Sequence, residues 1–232
     1  MKLQKLLIGI VTTVSILLAQ PTATELLQQV TKIMNPLHSK GTMKQTILTT
    51  TGDERVLEYE TYSGFEGEYT LMRYLSPSRV KGNAVLTTGF SDNIWMYNNR
   101  TRRVRKLASH AKKQKFEGSD FTYEDMGGGD IWIDNFNPKI IGTIEIDATE
   151  CYRLLLTPKS DYDGSYSKMV VYPRISDAYP LRVDYYEDEN HTKSCYLEDI
   201  EQIQNIPTAM KITMKNLIEI GRASCRERVC HR

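Results

Sequence analysis

The chain has 232 residues, of which 40% are hydrophobic and 25% are charged, and its formal net charge at pH 7 is +1. This length and composition are those of a globular protein that can bury a core without disulfide staples. The near-neutral balance gives no general attraction to nucleic acid or to an anionic membrane.

The first 23 residues have the pattern of a secretory signal peptide. Lys2 and Lys5 form a positive start, residues 6–18 are a largely apolar run, and the small-residue stretch 19–23 follows. A membrane anchor is the alternative, but a bilayer span needs about 20 apolar residues. We therefore expect cleavage after Ala19 or Ala23 and release of a soluble protein into the periplasm.

The last residues, 219–232, look foreign to the rest of the chain. Residues 219–230 resemble the translation of a common sequencing adapter, and the alternative is a basic, solvated tail. We expect residues from about Gly221 onward to make few contacts with the core. The adapter resemblance leaves residues 24–218 as the authentic domain. Without the leader and the tail, 24 basic and 27 acidic residues remain, a net charge of −3.

Two cysteines, Cys151 and Cys195, remain in that domain. An oxidising compartment would allow them to form one disulfide. A buried free pair is the other interpretation, and the sequence leaves both open.

The coarse pattern predicts one helix followed by many short strands. Apolar residues recur at helical spacing from Leu26 to Met34, Thr24 can cap the start, and Asn35-Pro36 ends the helix. Turn signals then separate a dozen apolar runs, which is typical of one large antiparallel sheet or barrel. The predicted strands are 42–50, 55–62, 69–75, 82–88, 93–97, 102–107, 140–146, 151–157, 166–172, 181–186, 193–203 and 208–216.

One long break, residues 108–137, interrupts this rhythm. It contains a candidate short helix at 119–126, with Ser119 or Asp120 as its cap, and a glycine-rich loop at 127–130. A break of this size within a sheet protein is often a lid or a binding segment.

Most of the common motifs for catalysis are absent from the sequence. No nucleophile elbow, phosphate-binding loop or metalloprotease motif occurs, and His38, His110 and His191 lie far apart. The acidic residues between 120 and 125 could ligate a metal, but helix capping and solvation explain them as well. We expect neither an enzyme nor a cofactor or metal.

Residues 100–115 carry many cations and no acid. Such a stretch could attract an acidic partner or lipid headgroups, or it could be a solvated strand edge protected against pairing. Export argues against nucleic acid as the partner. The residues predicted to dock a partner are Arg102, Arg103, Arg105, Lys112, Lys113 and Lys115.

Aromatic and apolar residues alternate on the predicted strand 93–97. Ile94 and Met96 occupy one face, and Trp95 and Tyr97 occupy the other. A strand that is apolar on both faces needs a cover on each or a cavity on one. Ordinary core packing and a ligand cavity both remain open on this evidence.

Several segments in order resemble the LolA-like family of outer-membrane lipoprotein-sorting proteins, over about residues 25–217. One matching segment begins with Phe116-Glu117, and its most specific part is Gly118-Ser119-Asp120-Phe121-Thr122-Tyr123-Glu124-Asp125. The other matching segments are Met72-Arg73-Tyr74-Leu75-Ser76-Pro77, Val80-Lys81-Gly82, Asn93-Ile94-Trp95-Met96-Tyr97, Arg102-Arg103-Val104-Arg105-Lys106, Cys151-Tyr152, Pro158-Lys159, Tyr166-Ser167-Lys168 and Tyr185-Tyr186.

The resemblance implies a mainly β protein with a few helices (α+β), in which a strongly curved antiparallel sheet, an incomplete barrel, is covered by helices over an apolar cavity. It also implies a monomeric periplasmic carrier of lipoprotein acyl chains or another lipid, served by an inner-membrane transporter and an outer-membrane acceptor. The alternative is a non-transporting module that docks an envelope transporter through residues 100–115. The predicted cavity and lid residues are Leu71, Arg73, Ile94, Trp95, Met96, Tyr97, Phe116, Phe121, Tyr123 and Trp132.

Overall fold

The computed structural model describes residues 20–48, 52–125, 130–218 and 224–230. Within them the chain forms thirteen strands in one antiparallel sheet and two α-helices. The strands are β1 (His38–Leu48), β2 (Glu54–Gly64), β3 (Tyr69–Ser76), β4 (Ala84–Thr88), β5 (Asn93–Asn98), β6 (Arg103–Lys106), β7 (Phe136–Ile146), β8 (Thr149–Pro158), β9 (Lys168–Pro173), β10 (Pro180–Glu187), β11 (Asn190–Ile203), β12 (Ile206–Asn216) and β13 (Ser224–Cys230).

The order of strands across the sheet is β6-β5-β4-β3-β2-β1-β13-β12-β11-β10-β9-β8-β7. Each strand up to β6, and each from β7 to β12, pairs with its sequence neighbour, as expected of runs separated by short turns. All twelve strands predicted from the sequence are present. The turn signals succeed because they are local: Gly52 has a φ of +87° beside the β1–β2 connection.

The described part of the sheet is open, with β6 and β7 as its terminal strands. It is neither closed nor strongly curled, so it differs from the strongly curved sheet that the resemblance implies. The mainly β class with few helices is confirmed. None of the helices in the described residues is long and apolar enough to cross a membrane.

Helix α1 (Ala23–Met34) packs its apolar face on the core. Leu26, Leu27 and Val30 are almost fully buried there. The Thr22 side chain accepts a hydrogen bond from the Glu25 backbone N–H, and the Glu25 carboxylate accepts one from the Thr22 N–H at 2.8 Å. This capping box starts the helix at Thr22 instead of the predicted Thr24. The predicted end at Asn35 is confirmed.

The predicted helix at 119–126 is wrong. The described residues 109–125 form two short 3-10 turns and bends, and helix α2 (Asp130–Asn135) begins later. The Ser119 hydroxyl donates to the Phe116 carbonyl at 2.7 Å and accepts from the Phe121 N–H at 3.2 Å. The serine and aspartate pattern therefore closes turns here, the other common use of such side chains.

The C-terminal strand β13 makes contacts that the sequence analysis did not predict. The backbone of β13 pairs antiparallel with β1 on one side and with β12 on the other. The prediction of few contacts is therefore wrong for Ser224–Cys230. The backbone of an extended segment can complete a hydrogen-bonded ladder regardless of its sequence, and β1 and β12 present facing edges. The adapter origin of 219–232 stays a prediction, and residues 1–19 of the predicted leader lie outside the described residues.

The possible disulfide is excluded. Cys151 and Cys195 are both free and buried. They lie on β8 and β11, with β9 and β10 between them, a separation of about 14 Å at the usual spacing of strands. A disulfide needs Cα atoms within about 7 Å. Burial raises the pKa of the Cys151 thiol, which makes it less reactive.

Candidate functional site

An apolar cavity of about 590 Å³ lies between the end of α1, the start of β1 and the β11–β12 hairpin. This volume falls within the range of pockets that bind small molecules, about 300–1,000 Å³. Aliphatic side chains dominate its wall. The apolar lining residues are Ile33, Met34, Pro36, Leu197, Ile203, Ile206, Pro207, Ala209 and Ile212.

Two segments that are far apart in the sequence, the end of α1 and the β11–β12 hairpin, meet to form this cavity. The apolar stripe of α1 continues to Ile33 and Met34, beyond the buried residues, so its last turn points apolar surface at the hairpin. Gln204 and Asn205 both have positive φ, 52° and 65°, as the tight turns of two-residue hairpins require. Ile203 and Ile206 flank this turn and bring aliphatic side chains to the cavity mouth.

The deeper wall is formed by buried residues of β11 and β12. Leu197 and Ala209 are buried, and the Ala209 N–H donates to the Tyr179 hydroxyl at 2.9 Å. Burial raises the pKa of Tyr179 to about 12, so the phenol stays neutral into the alkaline range. At the rim, Lys40 forms a salt bridge with Glu60 at 3.5 Å. The cavity thus offers an apolar interior beside a charged edge.

The sequence predicted the cavity at a different place, the inner face of β2–β5, and aromatic side chains fill the part of that face that lies under Phe116 and Tyr123. Phe116 is fully buried against Tyr59 and Tyr123, with ring centroids 6.1 and 5.2 Å away. The space that remains under these rings is about 20 Å³, too little for an acyl chain. Ile94 and Phe121 are also buried in this core.

The other predicted site residues do not join this group. Leu71 on β3 lies opposite Leu86 on β4, which lies opposite Trp95 on β5. In the same way, Arg73 lies opposite Ala84, which lies opposite Tyr97. These four predicted residues therefore share the face opposite to Met96. Trp132 lies on α2, which packs beside α1 and β7. The structure brings together Ile94, Met96, Phe116, Phe121 and Tyr123 and separates them from Leu71, Arg73, Trp95, Tyr97 and Trp132.

A buried polar cluster that the sequence did not reveal anchors the segment 116–125 to the sheet. Lys193 Nζ lies 2.5 Å from Asp125 Oδ2, with side chains 7% and 1% exposed. The Tyr166 hydroxyl donates to Asp125 at 2.6 Å, and the Tyr162 hydroxyl donates to Glu124 at 2.6 Å. Burial, followed by the charge of Asp125, raises the pKa of Tyr166. These contacts join residues about 40 to 70 positions apart, so no local pattern could have indicated them.

The basic stretch divides into two parts. The three predicted lysines have partners on their own chain: Lys112 with Asp92 at 3.2 Å, Lys113 with the Gly164 carbonyl at 3.3 Å, and Lys115 with Asp120 at 3.9 Å. Arg102 donates to the Tyr97 hydroxyl at 3.3 Å. Arg103 and Arg105 lie exposed on the terminal strand β6.

Metal ligands do not cluster in the part of the chain that the structure describes. There, no group of three or more His, Cys, Asp or Glu side chains is arranged to hold an ion. The predicted acidic residues are used internally: Asp120 faces Lys115, Glu124 accepts from Tyr162 and Ser165, and Asp125 pairs with Lys193.

A family model with the description "-like: Uncharacterized protein" matches residues 66–226, more than half of the chain. The chain belongs to this family. The search of curated proteins gave no match.

Solved structures share the fold over nearly the whole chain. A DUF1329 family protein from Desulfovibrio piger is 23% identical, with a TM-score of 0.79 and 89% of each chain covered. A Vibrio parahaemolyticus domain named for outer membrane lipoprotein sorting is 21% identical, with a TM-score of 0.77 and 89% of each chain covered. A LolA superfamily protein from Nitrosomonas europaea is 18% identical, with a TM-score of 0.73, over 91% of this chain and 94% of that one. These likenesses establish a LolA-like fold, which confirms the resemblance seen in the sequence.

Proposed function

We propose that this protein is a periplasmic carrier that holds the acyl chains of a lipoprotein or another lipid between the inner and outer membranes. The main observation in support of this proposal is the cavity of about 590 Å³ beside α1, which is lined by isoleucine, leucine and proline residues. The signal-peptide pattern of residues 1–23 and the LolA-like fold support the compartment. In this role the protein binds without catalysis and works as a monomer with an inner-membrane transporter and an outer-membrane acceptor.

The energetics of such a cavity suit reversible carriage. Each buried methylene contributes about 0.8 kcal/mol, so ten of them contribute about 8 kcal/mol, equivalent to a Kd of about 1 µM before the cost of ordering the chain. The helix α1 and the β11–β12 hairpin form the two walls that an entering chain would separate. The expectation that helices cover the cavity belongs to this proposal.

Displacement of a fluorescent fatty acid tests the role and the location together. Wild type should bind the probe saturably. Ile33→Asp places a carboxylate in the cavity wall, and we expect it to weaken binding at least about tenfold because an unpaired charge is costly in apolar surroundings. Ile144→Asp is the matched control, since Ile144 is 42% exposed on β7, and it should bind as wild type does. Circular dichroism checks that both variants fold.

Two results would reject the proposal. Absence of saturable binding by wild type would favour the non-transporting module, which docks a transporter through residues 100–115. Equal binding by wild type and by folded Ile33→Asp would place any lipid site outside this cavity.

A further inference from the structure

A second cavity, of about 570 Å³, lies at the far end of the sheet beside the terminal strand β6. Its wall is more polar than that of the first cavity. The polar residues Tyr74, Asn83, Asn98 and Thr101 line it, together with Glu117 of the 3-10 turn Phe116–Gly118. The proposed acyl-chain cavity uses none of these residues, so the two sites are separate.

Two arginines face this second cavity from the same side of β6. Arg105 pairs in register with Met96, which pairs with Val85, which pairs with Met72. Arg103 is two residues before Arg105 and therefore projects to the same face. Arg105 lies along this row, with Nη2 3.9 Å from Met96 Sδ. Both arginines therefore lie on the inner face of β6, at the open edge of the sheet.

Neither of these arginines forms a salt bridge within the described residues. Some other cations of the described residues do pair with an acid, such as Arg182, which holds Asp184 through two nitrogens at 2.6 and 2.7 Å. A guanidinium presents several N–H groups in a planar fork that matches the oxygens of a phosphate. Because neither arginine has a carboxylate partner among the described residues, both keep N–H groups available for an anion.

One acid, Glu117, also lines the cavity. Its carboxylate accepts a hydrogen bond from the Tyr74 hydroxyl, and Glu117 has a positive φ of 52° in the turn that presents it. The charged residues of the lining are therefore Arg103, Arg105 and Glu117, with one positive charge in excess. An anion at the arginines would be attracted by two charges and repelled by one.

We propose that this cavity binds a phosphate group, with Arg103 and Arg105 as the residues that hold it. The phosphate belongs either to a lipid headgroup or to a small soluble phosphate, and the chemistry of recognition is the same for both. The proposal does not depend on the fatty-acid site, because the two cavities share no residue.

Calorimetric titration with sodium phosphate, against sodium chloride at matched ionic strength, measures binding of a soluble phosphate. Co-sedimentation with phosphatidylglycerol vesicles measures binding of a lipid headgroup. Arg103→Gln/Arg105→Gln should weaken whichever interaction is found by at least about tenfold, as expected when charge-assisted hydrogen bonds are removed. Lys139→Gln/Arg153→Gln removes two charges from β7 and β8 and should bind as wild type does.

Glu117→Gln gives a test of opposite sign. The amide oxygen can still accept from Tyr74, while the repulsive charge is gone, so phosphate binding should strengthen about two- to fivefold, the effect of one partly exposed charge. A purely structural role for Glu117 would not improve binding.

The outcomes separate cleanly. Binding of sodium phosphate alone assigns a soluble phosphate, and binding of vesicles, with or without sodium phosphate, assigns a lipid headgroup. Absence of both, or equal loss in the two double variants, overturns the proposal. Fatty-acid binding should be unchanged in Arg103→Gln/Arg105→Gln, so failure here is distinguishable from failure of the carrier function.

Discussion

Removing the Asp125 carboxylate should destabilise the fold strongly, because Lys193 would remain buried without its partner. Asp125 accepts the Lys193 ammonium at 2.5 Å, the Tyr166 hydroxyl at 2.6 Å and the Thr122 N–H at 2.6 Å. Lys193 Nζ also lies 5.0 Å from the centroid of the Tyr166 ring. The ion pair is almost completely excluded from water, and loss of one partner of such a pair costs about 3–5 kcal/mol.

Urea unfolding of Asp125→Ala measures this cost. An exposed ion pair gives the matched control: Lys168 and Glu189 are 3.0 Å apart, but the Glu189 side chain is 93% exposed. Glu189→Ala should cost less than about 1 kcal/mol. The double variant Asp125→Asn/Lys193→Met removes both charges and should recover most of the loss.

The reasoning is refuted if Asp125→Ala unfolds at the same urea concentration as Glu189→Ala. It is also refuted if the double variant is less stable than Asp125→Ala, since the buried lysine charge would then not be the source of the cost.

Two further predictions concern the helix cap and alkaline pH. Thr22→Ala should lower the free energy of unfolding by about 1 kcal/mol through loss of the capping box, whereas Thr24→Ala, at the exposed position first predicted as the cap, should change it little. Burial raises the pKa values of Tyr172 and Tyr179 from 10.0 to about 12. The folded protein therefore keeps protons that the unfolded chain releases, so stability is complete below about pH 10 and falls toward pH 12. Tyr179→Phe should make that fall shallower in urea titrations across this range, and an unchanged slope would contradict the assignment.

Local signals in the sequence predict the sheet well. Alternating residues such as Ile94-Trp95-Met96-Tyr97 and turn residues such as Asn98-Asn99 determine strands and hairpins within a few positions. The end of α1 at Asn35-Pro36 follows in the same way. The start was missed because Thr22 and Thr24 are both good caps, and the position of Glu25 three residues after Thr22 decides between them.

The site was harder to predict because it depends on contacts between distant segments. The aromatic residues Phe116 and Tyr123 were predicted to cover a cavity, but the ion pair of Asp125 with Lys193 draws their segment inward, where they fill the core. The sequence contains one weak indication of the observed cavity. Ile203 and Ile206 place aliphatic side chains beside a hairpin turn, where polar residues are usual. Their partners on α1 become evident only once the chain is folded.

The most direct test of the carrier function is mass spectrometry of organic extracts of the protein purified from the periplasm without added lipid. We predict that wild type carries acyl lipid at a near-stoichiometric level and that Ile33→Asp, prepared in parallel with Ile144→Asp, carries much less than that control. Lipid-free wild-type protein, or equal lipid content in the two variants, would contradict carriage in the cavity between α1 and the β11–β12 hairpin.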